Sequence, residues 1–88
     1  MTASPRDQLV VTNRLRRALL AFQSAQILLL TYQRQHKPLL EADLETVQDS
    51  AAEVVAAFQA FSAAGLMAGA DDQRLLAQAH KYLADGDA

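Results

Sequence analysis

Between Pro5 and Pro38 the chain runs without a proline or a glycine. Within that stretch Val11, Leu15, Ala18, Phe22, Ala25, Leu29 and Tyr32 recur at alternating steps of four and three residues. A strand would alternate every second residue; this period keeps all seven on one stripe of an α-helix. Ser4-Pro5-Arg6-Asp7 supplies the start, with a hydroxyl at the N-cap, proline at the first helical position and a carboxylate three residues after the cap. Lys37-Pro38 supplies the end, because the residue before proline is biased away from helical angles. The spacing predicts helix 1 over about 5–36.

A second stripe follows. Leu40, Leu44, Val47, Ala51, Val54, Phe58 and Phe61 step four and three in turn, predicting helix 2 over about 38–64. Glu41, Asp43 and Glu45 place acids at its start, where the helix dipole is positive, and Gly65 suits its C-cap. Asp71 is placed to cap helix 3, about 72–83, with Leu75, Leu76, Ala79, Tyr82 and Leu83 on one face and Asp85-Gly86 closing it. The composition agrees: 18 Ala and 14 Leu stand against 5 Val and 1 Ile, a balance that favours helix over sheet. The 88 residues are expected to form a single all-α domain. A connection of one or two residues would fold helices 1 and 2 into a long antiparallel hairpin, with a short third helix beside it.

Charge is segregated along the chain. Residues 1–38 hold six bases and one acid, while residues 39–88 hold two bases and nine acids. In a hairpin the acidic start of helix 2 lies beside Arg34 and Lys37, so the segregation has a structural explanation as an attraction within one fold.

Helix 1 carries more apolar surface than one seam needs. At 100° per residue, Leu9, Leu20 and Ile27 fall well outside the seam, among Arg16, Gln23 and Arg34, and Leu28 widens it on the other flank. A helix that is apolar nearly all round is one that is covered nearly all round. Helix 2 covers one side, and a helix 3 of about 12 residues, roughly 18 Å, covers less than half of another. The expected cover is a second copy of the chain, giving a homodimer with a dimeric helical bundle, or else a helical protein partner. The interface is assigned to Leu9, Arg16, Leu20, Gln23, Ile27 and Leu28. A non-catalytic interaction or assembly module is therefore the expected role.

The alternative is nucleic-acid association through Arg14, Arg16 and Arg17, since clustered guanidiniums contact phosphates without reading bases. These three fan out over about 160° with no aromatic between them, and the acidic second half opposes the same ligand. Pairing with Asp71 and Asp72, or with a partner's carboxylates, is the structural counterpart.

Other chemistries find few residues. Glu41, Glu45, Asp49 and Glu53 form a ladder at four-residue spacing, but no histidine follows any glutamate at the third position, and the ladder reads as a solvated face. His36 and His80 stand 44 positions apart, so no metal or other cofactor is expected. No Gly-x-Ser-x-Gly, phosphate-binding Gly-rich loop with lysine, or cysteine nucleophile is present, so no enzyme and no small-molecule substrate is expected. The longest apolar run, Ala18 to Tyr32, has 15 residues and includes Gln23, Ser24 and Gln26, short of the about 20 that span a bilayer. Met1 to Asp7 shows no secretory pattern, and a cytoplasmic location is expected.

Overall fold

The computed structural model describes residues 4–86. Within them the fold is all-α, with three helices in chain order: α1 (Pro5–Arg34), α2 (Glu41–Ala63) and α3 (Ala70–Gly86). The amino-terminal pattern read from Met1 to Asp7 lies partly outside the described residues.

α1 starts as its sequence predicts. The Ser4 hydroxyl accepts from the backbone N–H of Asp7 at 3.2 Å, and Pro5 occupies the first turn, where its missing N–H costs nothing. It ends two residues before the expected boundary. His36 adopts a left-handed φ of 55°, and the N–H groups of His36 and Lys37 return to the carbonyls of Gln33 and Tyr32 at 3.2 and 2.9 Å. That pair of bonds is a Schellman closure, which satisfies carbonyls the helix end would leave open. α2 ends in the same way with the residue best suited to it. Gly65 sits at φ 82°, and the N–H groups of Gly65 and Leu66 return to Ser62 and Phe61.

Two boundary expectations are corrected. The link between α1 and α2 spans six residues, 35–40, because the closure at His36 uses residues that would otherwise extend the helix, and Leu40 stands at the N-cap of α2 with no side-chain cap bond. α3 begins at Ala70, where the Gly69 carbonyl accepts the N–H of Gln73, so Asp71 lies in the first turn and is not the cap. The helix also continues through Asp85 to Gly86, giving 17 residues instead of about 12.

α1 and α2 pack closely as an antiparallel hairpin, and α3 returns along α2 with a lighter touch on α1. The core holds Leu15, Phe22 and Leu29 of α1 against Val47, Val54, Phe58 and Phe61 of α2. Ala51, Ala57 and Ala79 are fully buried, and their small side chains permit the close approach. Two contacts tie α3 to α1: the rings of Phe22 and Tyr82 meet edge to face at 5.7 Å, and Gln26 Nε2 donates to Gln78 Oε1 at 3.0 Å.

The α2 stripe is not buried along its whole length. Leu40 and Leu44, expected on the seam, are exposed. Both lie in the half of the hairpin nearest the α1–α2 link. The molecule is 50 Å long and 22–24 Å across. At 1.5 Å per residue α1 extends about 45 Å and α3 only about 25 Å, so the hairpin is a rod with a third helix along part of it.

Candidate functional site

The surface of α1 facing away from α2 is where unspent apolar character collects. Leu20 and Ile27 are 59% and 64% exposed, seven residues or two turns apart, and Leu9 is exposed on the same flank eleven residues before Leu20. Arg16 and Gln23 stand between them, also exposed. Leu28 is exposed as well, but it lies about 100° round the helix from Ile27, on the flank it shares with Val10. The six residues assigned to an interface therefore occupy two flanks of α1.

Arg16, Leu20 and Gln23 form one wall of a groove whose other wall is Asp71, Asp72 and Leu75 of α3. Phe61, Leu15 and Leu19 lie beneath. The groove brings a guanidinium near two carboxylates, yet the charges do not close to an ion pair: among the described residues the one salt bridge joins Arg14 to Glu53. Arg14 Nε donates to Glu53 Oε1 at 2.8 Å and Nη2 to Oε2 at 3.3 Å, a two-pronged contact between half-exposed side chains. The hydrogen bond with Glu53, and then its charge, raise the Arg14 pKa above its ordinary value. The hydrogen bond from Arg14 lowers the Glu53 pKa, with burial opposing.

This pairing adds to one expectation and corrects another. Glu41, Glu45, Asp49 and Glu53 are all exposed, as a solvated ladder requires, but Glu53 also reaches Arg14, because residues four apart drift by about 40° per step on a 3.6-residue helix. Three steps carry Glu53 about 120° round from Glu41, onto the flank that faces α1. Arg14 meets Glu53 instead of Asp71 or Asp72 for the matching reason: it lies at the edge of the α1–α2 seam, in a groove that Arg17 also lines, while Arg16 lies on the α3 side. The three arginines thus form no common surface. Among the described residues neither Arg34 nor Lys37 closes the expected ion pair with the acids that open α2.

A second groove lies between α2 and α3, lined by Phe58, Leu66, Leu76 and His80, with Met67 projecting almost wholly into solvent beside it. Among the described residues no group of three or more His, Cys, Asp or Glu side chains is placed to hold a metal ion, and no helix is long and apolar enough to cross a membrane.

Sequence reasoning missed Leu30, Leu39, Leu40 and Leu44, all exposed around the hairpin tip. Leu40 and Leu44 read as seam because periodicity reports which way a residue faces on its helix. It does not report whether another element extends that far. No family model matches the chain, and no curated protein or solved structure matches it either.

Proposed function

We propose that the protein is a non-catalytic protein-binding or assembly module, a small helical adaptor, chaperone, regulator or structural subunit that acts through an apolar helix face. The observation that carries this reading is the pair Leu20 and Ile27, both more than half exposed on a face of α1 that neither α2 nor α3 covers. Single exposed leucines are ordinary on protein surfaces; a succession of large apolar side chains along one rod is the signature of a surface with a partner. Leu9 extends the series toward the start of α1, Leu30 stands one turn beyond Ile27, and Leu28 is exposed on the other flank. Arg16 and Gln23 form a polar border of the kind that surrounds an apolar interface centre. A second copy of the chain is the cover this reading takes, the homodimer being the simplest assembly, with a helical partner protein as the alternative that binds in addition to it.

Light scattering tests the reading. The native chain is expected near twice its 9.6 kDa mass, and Leu20→Glu combined with Ile27→Glu is expected to shift the mass toward the monomer while circular dichroism stays helical. A monodisperse monomer in both proteins would overturn it.

A further inference from the structure

The groove between α1 and α3 carries opposite charges on its two walls. Arg16 stands on the α1 wall and Asp71 and Asp72 on the α3 wall, with Leu20 and Leu75 one turn further along each. None of the three charged groups has an ion-pair partner among the described residues. The groove is open because α3 packs chiefly on α2 and touches α1 only lightly. Its walls also run in the same direction: Arg16 shares the groove with Asp71 and Asp72, and further along each helix Gln26 donates to Gln78.

Parallel walls of opposite charge restrict how a second copy sits on the groove. A two-fold axis in the plane of contact either crosses the rod or runs along it. An axis that crosses the rod lays α1 on α1 and α3 on α3 in opposite directions. Placed at Arg16, it sets arginine on arginine and aspartate on aspartate. Moved along the rod, it matches one wall, Asp71 to Lys81 or Arg16 to Asp7, but not both, because α1 holds no acid beyond Asp7 and α3 does not reach the start of α1. An axis along the rod keeps every residue at its own level and exchanges the walls. Each α1 then faces the other copy's α3, and Arg16 meets Asp71 and Asp72 at two equivalent places. An anionic lipid surface would meet the two aspartates, and a helix of one charge sign would leave the opposite wall unmatched.

We propose that two copies of this chain dock along the α1–α3 groove, related by a two-fold axis parallel to the rod. Arg16 of each protomer pairs with the partner's Asp71 and Asp72, and Leu20, more than half exposed in the single chain, packs on the partner's Leu75. The four helices at the contact run parallel, with α2 of each protomer outside them. The proposal rests on the reading of the chain as an association module and adds to it the wall that α3 contributes and the direction of the axis.

Reciprocal charge reversal in the full chain tests the geometry. Arg16→Glu sets like charge against the partner's aspartates, and Asp71→Lys with Asp72→Lys sets like charge against the partner's Arg16, at both equivalent places in each case. Each variant alone is expected near 9.6 kDa by sedimentation equilibrium at a concentration where the native chain is near twice that. An equimolar mixture of the two is expected to return to twice 9.6 kDa, because each supplies the wall the other lacks. A second measurement keeps the native charges. The sequence has no cysteine, so a Leu20→Cys chain mixed with a Leu75→Cys chain and oxidised is expected to cross-link to it in preference to itself. This cross-link decides the matter if a charge variant loses helicity. Cross-links confined to like chains, native mass in either charge variant, or a helical mixture that stays at 9.6 kDa overturns the proposal. If the charge variants stay dimeric while Leu20→Glu with Ile27→Glu dissociates the chain, the groove geometry fails and the association module stands; a native chain that is monomeric at every concentration ends both.

Discussion

Phe22 shows how much of this fold depends on single positions. It is fully buried, fills the space where α1 meets both other helices, and holds the edge-to-face contact with Tyr82. Replacing it by alanine removes both the transfer of a large ring from water and the packing around it, so Phe22→Ala is expected to cost about 3–5 kcal/mol, measured by urea denaturation. His36 has the opposite character. Its φ of 55° is a conformation that side chains with a Cβ adopt at a cost, which glycine avoids while bringing a smaller entropic penalty of its own. His36→Gly is therefore expected to stabilise the chain by about 0.5–1 kcal/mol in the same assay. Glu53 sets a pH dependence. Its folded pKa lies below the ordinary carboxylate value, so its ion pair stabilises the protein above that value and is lost as pH falls through the folded pKa. The loss is small because both partners are about half exposed to solvent. Glu53→Gln is expected to flatten the acid side of the stability profile slightly and to leave neutral-pH helicity unchanged.

The helices were legible in the chain to different depths. α1 and the core half of α2 follow from apolar periodicity, and the cap at Ser4 and the stop at Gly65 follow from residue types with one strong local use. The tip is where local reasoning fell short. Pro38 marks a break but not its length, and the six-residue link arises from a left-handed turn at a histidine, which no local preference singles out. Once the link is that long, Leu40 is displaced from the seam. The candidate surface was legible in part, since Leu9, Leu20 and Ile27 stand where a helical wheel puts them. The Arg14–Glu53 pair was not, because it depends on how a four-residue ladder drifts round α2 and which rung comes opposite α1. The cap itself is testable: Ser4→Ala removes the acceptor for the Asp7 N–H and is expected to cost about 0.5–2 kcal/mol, with hydrogen exchange faster in the first turn of α1 and unchanged at α2.

As a whole the molecule is a hairpin of about 45 Å with a third helix about half that long, and this inequality is what leaves apolar surface open. Leu40 and Leu44 are bare near the tip, while Leu20 is bare beside α3 because of the direction it faces on α1. Association then links stability to concentration, since anything that binds only the folded chain raises its apparent stability. The thermal midpoint of the native chain is accordingly expected to rise with protein concentration, and that of the Leu20→Glu, Ile27→Glu form to be independent of it. The most direct measurement is sedimentation equilibrium of the native protein over a wide concentration range. A weight-average mass that climbs from 9.6 kDa toward twice that value and levels there is the predicted result; 9.6 kDa at every concentration would contradict an exposed apolar face that works by being covered.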